Sequence, residues 1–429
     1  MDMIRFYNGR VLTLKNGFDI TDDEVWTNGN KIEYIGKNRN IKADREIDLK
    51  GNLLMPAFKN AHTHSAMTFA RSLADGLPLQ KWLNEKIFPL EAKLTGDDIY
   101  TLSRLAFLEY LTSGISACFD MYYFPQAMAK ASVDAGFRTV MTCGLNSFKE
   151  SVEQLEDYYD RFNHYDELIS YKLGFHAEYT CTREILEGVA KLAEKYEAPV
   201  FMHASETKSE IEGCMERYGK TPAALFDELG IFNYGGGAYH SVWVNDHDLE
   251  IYKKHGVWAV LNAGSNCKLA SGIAPVVKMQ KEGIKLAVGT DGPSSNNALD
   301  MFREMYLICA TQKLAEKDAS ACSAEDILYA ATVGSARCMG LYDCDIIDIG
   351  KAADLTVIDL NSPNMQPIND IVKNLVYSGS KSNVKLTMVN GRILYENGAF
   401  PGTDTEKIYC EAQKITDRLK KTHLTHIKY

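Results

Sequence analysis

The sequence predicts an α/β protein, a (β/α)8 TIM-type barrel carrying a small β-sandwich built from both ends of the chain. Three observations predict it. Eight short apolar runs alternate with helix-like segments through the middle of the chain, both ends read as β-hairpins, and polar side chains collect where the eight runs stop.

The first 55 residues contain MIRFYNGRVLTL, DEVWTNG, KIEYIGKN and EIDLKGN, separated by Asn-Gly and similar turns that favour hairpins. The far end repeats the pattern in ADLTVIDL, VKLTMVNG and RILYENGAF. Strands from both termini therefore make one composite β-sandwich, residues 1–56 with 345–403. The barrel is expected over 57–344, and a charged helix with a tail over 404–429.

The eight runs are LLMPAFKNAHTH, ISACFDMY, FRTVMTCGL, YKLGFHAEY, APVFMHASE, GGAYHSVWV, WAVLNAGSN and IKLAVGTDG, and eight is the number that closes a barrel. Between them, segments such as DDIYTLSRLAFLEYLTSG and ALDMFREMYLICATQKL carry apolar residues at i, i+3, i+4 and i+7, as helices that coat a barrel do. An open doubly wound sheet also alternates strand and helix. The polar residues at the C-terminal ends of the runs favour the closed form, because that is the face on which barrel enzymes place their chemistry.

A chain of 429 residues suits one large core with an accessory module. With 57 acidic against 47 basic side chains, a net charge of −10 and no basic stripe, nucleic acid is excluded as a general partner and a small molecule is expected. No run approaches the ~20 apolar residues of a membrane helix, and MDMIRFYNGRVL has no signal-peptide pattern, so the expectation is a cytoplasmic protein without a membrane. The ten cysteines are scattered without a C-x-x-C pair, which points to reduced thiols, most of them packed as small core residues. Apolar helix faces do not separate core from interface, so a homo-oligomer stays open.

His62 and His64 in NAHTHS end the first run, and alternate residues of an extended segment share a face, so both imidazoles approach one point. Two histidines so spaced are a weak signal alone. His203 ends the fifth run, His240 the sixth and Asp291 the eighth; in a barrel these ends converge, giving four histidines and a carboxylate around one cavity. Glu206 lies just beyond His203, within reach of a substrate yet outside the ligand set. Its competing reading is a solvated acidic loop continuing through Glu210 and Glu212. His164, His247, His255, His423 and His426 fall in polar helical or terminal stretches and read as surface residues.

MPAFKNAHTHSAMTFARSLADGLPLQKWL resembles the first barrel strand and following loop of the amidohydrolase superfamily. SNCKLASGIAPV, VGTDGPSSNN and GKAADLTVIDL are similar to later signatures of its chlorohydrolase and aminohydrolase branch. The resemblance covers essentially the whole chain and points, within that branch, to the 5-methylthioadenosine/S-adenosylhomocysteine deaminase family. It implies one divalent metal, zinc ahead of iron or manganese, held by His62, His64, His203 and Asp291. It implies Glu206 as proton shuttle, His240 and Asp291 as further catalytic groups, and Trp82, Glu91, His176, Glu206 and Ser295 as substrate contacts. His176 stands where two-metal members carry a bridging Lys, which implies a one-metal site. Trp82 also reads as simple packing, and Glu91 as a cap or ion pair for the helix near Gly96; a carboxylate is nonetheless well suited to accept from two ribose hydroxyls.

The implied reaction is hydrolytic deamination of an adenosine-type nucleoside to the inosine analogue and ammonia. The alternative is hydrolysis of another N-heterocycle, such as guanine, an oxidised purine, a pterin or a triazine. A barrel that has lost its ligands can become a non-catalytic assembly protein, but every expected ligand and proton carrier is present here. Two departures stand out. Cys143 replaces an Arg after the third run and NSFKESVEQLEDYYD offers no second Arg, which weakens S-adenosylhomocysteine and favours methylthioadenosine, 5′-deoxyadenosine or adenosine. Asn262-Ala263-Gly264 replaces an Asn-Pro pattern and carries no functional reading from sequence.

Overall fold

Ile4 and Phe6 point inward while Met3, Arg5 and Tyr7 stay half-exposed, the period-two pattern of a strand with one face on a core. The computed structural model describes residues 3–37, 41–73, 75–77 and 81–426, with side chains as far as 421. In it, this strand belongs to a four-stranded sheet ordered Lys31–Gly36, Glu24–Asn28, Met3–Tyr7, Arg45–Asp48. A six-stranded sheet runs Arg392–Glu396, Val384–Val389, Leu355–Ile358, Leu53–Pro56, Arg10–Leu12, Ile20–Thr21. Strands from the two ends of the chain sit side by side in it: Leu355–Ile358 pairs antiparallel with Leu53–Pro56, which pairs parallel with Arg10–Leu12. Ile4, Phe6, Val25, Leu54, Val357 and Met388 share the apolar cluster of these two sheets.

The run LLMPAFKNAHTH, read from sequence as one strand, is two. Leu53–Pro56 lies in the six-stranded sheet and Phe58–Thr63 opens the barrel, the chain crossing at Ala57, whose N–H donates to the Asp354 carbonyl at 3.0 Å. Every residue of both strands is buried, so the hydrophobic pattern has no break to mark the crossing. Residues 345–403 also contain a helix, Ile371–Tyr377, capped by Asp370, whose Ile371, Val372, Leu375 and Val376 join the outer barrel core.

The barrel strands are Phe58–Thr63, Ile115–Met121, Arg138–Thr142, Ile169–Tyr171 with Leu173–Ala177, Val200–Ala204, Gly236–His240, Trp258–Leu261 and Lys285–Val288. Neighbours are parallel throughout. The fourth strand comes in two pieces: the first pairs with the third strand and the second with the fifth. First and last strands are tied by Asp291 N–H to the His62 carbonyl at 3.0 Å and by Thr290 N–H to Asn60 Oδ1 at 2.8 Å. Phe119, Phe201 and Tyr239 interleave with Ala61, Ala117 and Ala287 in the barrel interior, which makes it a packed core and leaves the strand C-termini for chemistry.

Capping explains where several coating helices begin. Thr95 and Asp98 form a capping box for Gly96–Thr112, Asn245 and Asp248 another for Asp246–His255, and Thr182 caps Arg183–Tyr196. All ten cysteines are free thiols, Cys267 and Cys410 exposed and the rest buried. No helix among the described residues is long and apolar enough to cross a membrane.

Candidate metal and active site

Strand alternation brings His62 and His64 to the mouth of the barrel, their ring centroids 4.8 Å apart. Both reach the same atom of the eighth-strand carboxylate: Nε2 of His64 lies 3.2 Å and Nε2 of His62 3.4 Å from Asp291 Oδ1. His203 stacks beside them, 4.8 Å from His62 and 5.4 Å from His64 between ring centroids. One ligand atom each from His62, His203, His240 and Asp291 lies within 4.8 Å of the others, so His240 joins the cluster as closely as the expected ligands.

Hydrogen bonds to carbonyl oxygens, which only accept, fix two of the rings. Nδ1–H of His64 donates to the Met121 carbonyl and Nδ1–H of His203 to the His176 carbonyl, both at 2.7 Å, turning each Nε2 toward the cluster. His62 is fully buried and stacked on Tyr239 at 3.7 Å, and neither ring nitrogen finds a well-placed hydrogen-bond partner, the nearest being Asp291 Oδ1 at 3.4 Å from Nε2. Burial pushes its pKa down to about 3. Burial also works against a charge on His64, but its bond to Asp291 outweighs this and lifts it to about 9. Burial resists the charge of Asp291, yet His62 and His64 hold it well below the carboxylate range. Oδ2 of Asp291 accepts from Ser265 Oγ at 2.6 Å and Ser295 Oγ at 2.8 Å. Imidazoles that burial keeps neutral at His62 and His203, the first with both nitrogens orphaned, and the His64 ring paired with an ionised carboxylate make a donor set that fits a divalent metal.

The surrounding cleft holds about 630 Å³ of empty space, part of it open to solvent, and Trp82, Glu91, His176, Glu206, His240, Asp291 and Ser295 all line it. Glu206 is buried, as is Glu210, while Glu212 is exposed; of the three only Glu212 is solvated, and it and Glu210 lie on the helix Lys208–Tyr218, not in a loop. Glu210 accepts the N–H groups of Ser205 and Glu206, each at 2.8 Å, and so aims the Glu206 side chain. Burial raises the Glu206 carboxyl above its ordinary range, its Oε2 3.9 Å from His240 Nε2 and its Oε1 accepting from Ser271 at 3.3 Å. Glu91 is likewise raised by burial and accepts from Tyr122 Oη at 2.6 Å. Burial lowers His176 to about 3, so this ring is neutral. Ser205, His240 and Asp291 have φ of 57°, 71° and 58°, left-handed conformations that non-glycine residues tolerate at a cost and that cluster at working sites.

Sequence reasoning missed several neighbours. Tyr122 directly follows the second strand, where the strand-end rule used for the histidines would have found it; Tyr123, Tyr179 and Phe88 also line the cleft. Cys143 is buried outside the cleft lining, its thiol on the Gly174 carbonyl at 3.5 Å. The loop after it does supply a cation, Lys149, whose Nζ sits 3.9 Å above the Tyr123 ring. Of the histidines read as surface, His164 and His247 are exposed, but His255 is largely buried, its Nε2 2.6 Å from Asp227. The polar helix hid this because its last turn folds back on the preceding helix. The side chains of His423 and His426 lie outside the described residues.

Known proteins share this architecture. The chain is similar to 5-methylthioadenosine/S-adenosylhomocysteine deaminases from Caldanaerobacter subterraneus subsp. tengcongensis, 38% identical over 96% of this chain and 97% of the relative. The similarity to the enzyme of that description from Dictyoglomus thermophilum is 40% over 89% and 91%. Among solved structures, a zinc-bound adenosine deaminase from Xanthomonas campestris superposes with a TM-score of 0.93 at 29% identity, over 98% of both chains. A guanine deaminase from C. acetobutylicum, with a TM-score of 0.80 at 20% identity over 91% of this chain and all of the other, shares the fold. The amidohydrolase family model matches residues 53–394, from the strand that enters the sandwich through the whole barrel and back. With that match and relatives alike over nearly their full length, the chain belongs to the amidohydrolase family.

Proposed function

We propose that the protein hydrolyses the 6-amino group of an adenosine-type nucleoside, giving the inosine analogue and ammonia. The observation that carries this reading is the pairing within one cleft of a raised, buried Glu206 beside the histidine–aspartate cluster with a second buried carboxylate, Glu91. A carboxylate is well suited to accept from ribose hydroxyls, which a free base lacks, and Tyr122 occupies only Oε1 of Glu91, leaving the other oxygen for a sugar hydroxyl.

His62, His64, His203 and Asp291 are the residues that would hold the metal, zinc in this proposal, with His240 beside them. When bound, such a metal supplies a Lewis acid that makes water acidic enough to react near neutral pH. Asp291, ionised and braced by Ser265 and Ser295, takes a proton from the attacking water as its oxygen adds to C6 of the purine. Glu206, whose carboxyl burial raises above its ordinary range, gives a proton to N1, so the ring nitrogen takes up the displaced electron pair. His240 accepts a hydrogen bond from the water and orients it. The proton taken by Asp291 passes to the amino group, the C6–N bond breaks and ammonia leaves, while the C6 hydroxyl returns its proton to Glu206 and becomes the inosine carbonyl; the non-ligand Glu as shuttle is the logic of other zinc deaminases. Trp82, His176 and Ser295 line the same cleft and shape the space for the nucleoside.

With Cys143 out of the cleft and no arginine in its loop, adenosines with small 5′ groups lead and S-adenosylhomocysteine follows. The test is turnover of adenosine, 5′-deoxyadenosine, methylthioadenosine, S-adenosylhomocysteine and guanine, followed by ultraviolet change and ammonia release. Turnover of the small adenosines, lost in Glu206→Gln, is the expected result. Activity on guanine alone would overturn the nucleoside assignment.

A further inference from the structure

The Asn262-Ala263-Gly264 segment, silent in the sequence, leads into the short helix Ala263–Lys268 that follows the seventh strand and leans on the site at three points. Asn262 Oδ1 accepts from the backbone N–H of His240 at 3.1 Å while its Nδ2 donates to the Gly289 carbonyl at 3.0 Å. Ser265 reaches Asp291, and Asn266 Oδ1 lies 2.8 Å from Nδ1 of His240. The helix is itself pinned from behind: Glu304 accepts the Gly264 N–H at 2.9 Å, and a Cβ at Gly264 would stand 2.4 Å from Glu304 Oε1 and 2.5 Å from Asn296 Oδ1. A larger residue would have to displace the Glu304 and Asn296 side chains that hold the helix.

His64 and His203 have their tautomers fixed by carbonyl oxygens, whereas His240 has no carbonyl at Nδ1 and meets a side-chain amide instead. We propose that Asn266 is a positioning residue that accepts Nδ1–H of His240 and thereby presents Nε2 to the cavity as a bare lone pair. The opposite tautomer would aim an N–H at the other ligand atoms of the cluster, which lie within 4.8 Å, and at Glu206 Oε2 3.9 Å away, and a protonated Nε2 has no lone pair with which to accept from water or bind a ligand. Asn266 is 3% exposed, so water does not compete for the contact. The role rests on the deaminase reading only where it is measured by turnover; the tautomer is a property of the ring alone.

Two measurements test it. Protein labelled with ¹⁵N-histidine and reconstituted with zinc is examined by long-range ¹H–¹⁵N correlation, with His240 assigned by its loss in His240→Gln. The expected spectrum has Nδ1 protonated and Nε2 not, and Asn266→Leu loses that preference. In kinetics, Asn266→Leu lowers kcat by about 10- to 100-fold with little change in KM, metal content or Tm, and Asn266→Asp, which keeps an acceptor, retains most of kcat. An Nε2–H signal for His240 in the parent protein overturns the proposal, as does an Asn266→Leu enzyme with unchanged kcat or with metal content and Tm falling in step. Should the parent protein turn over no nucleoside, the deaminase reading fails while the ring spectrum still decides the role of Asn266.

Discussion

Both ends of the barrel bury charge, and they treat it in opposite ways. At the floor, where barrel meets sandwich, Asp354 binds Arg138 at 3.2 Å and the Asn390 N–H at 2.8 Å, with Lys59 Nζ 3.7 Å away and itself donating to the Ala57 carbonyl at 3.1 Å. Burial disfavours the Asp354 charge, but Arg138 and Lys59 overcome this and hold the carboxyl below its usual range. Every charge there has a partner of the protein's own. At the mouth, His62 has no hydrogen bond on either nitrogen, and burial leaves Glu206 and Glu91 raised. Matched buried charges fasten two parts of a fold together, whereas buried groups left unmatched mark the place where a ligand completes the set.

The contrast breaks most visibly if one end takes on the role of the other. Glu206→Gln is expected to lower kcat by about 10²- to 10⁴-fold, the range for a general acid, with Tm unchanged. Burial raises the Glu206 pKa, so the donor is present below that pKa and activity falls as pH rises through it; the pH profile of Glu206→Gln lacks this alkaline limb. A variant that unfolds early and keeps kcat would assign Glu206 to the framework instead.

Asp354→Ala should do the reverse, costing about 3–5 kcal/mol of stability by stranding Lys59 and Arg138, with kcat at moderate temperature preserved. Denaturant unfolding reads the loss. The sign with pH follows from the depressed Asp354 carboxyl. Its contribution is full above the ordinary aspartate pKa of ~3.9 and disappears as pH falls through the lower folded-state value, so parent and variant converge in acid.

Stripping metal with a chelator sharpens the comparison at the mouth alone. Activity is lost and returns with zinc, and Tm drops, by the equivalent of about 2.7 kcal/mol where free metal had stood at a hundred times its Kd. An identical Tm and turnover after verified removal would deny the cluster its assigned ligand. The smallest effect is expected from Glu91→Gln. Losing a carboxyl acceptor for one sugar hydroxyl costs about 1–3 kcal/mol in kcat/KM toward adenosines and leaves stability near the parent value; equal kcat/KM in both enzymes would remove Glu91 from the substrate contacts.

Much of the site was legible before the fold. His62, His64, His203, His240 and Asp291 each end an apolar run, and counting eight runs was enough to bring them to one mouth. Other parts were not. Leu53–Pro56 and Phe58–Thr63 are continuous in burial, so the run that holds them was read as a single strand although the expected boundary between sandwich and barrel fell within it. Glu210 looked solvated because its partners are backbone N–H groups, which leave no trace in a sequence. Ser265 and Asn266 sat in a recognised signature without a task, because their partners Asp291 and His240 lie 26 residues away in either direction.

By itself, then, the sequence determined the kinds of element, their order and the residues that stand at strand ends, since period-two burial and turn chemistry are local properties. The tertiary structure decided which buried groups find partners. Barrel closure joins Asn60 to Thr290 across 230 residues, the packing of neighbouring strand ends sets Ser265 on Asp291 and seats Asn266 on His240, and His62 is left unmatched. A hydrogen bond is made or missed within a few tenths of an ångström, a scale at which spacing along the chain carries no information.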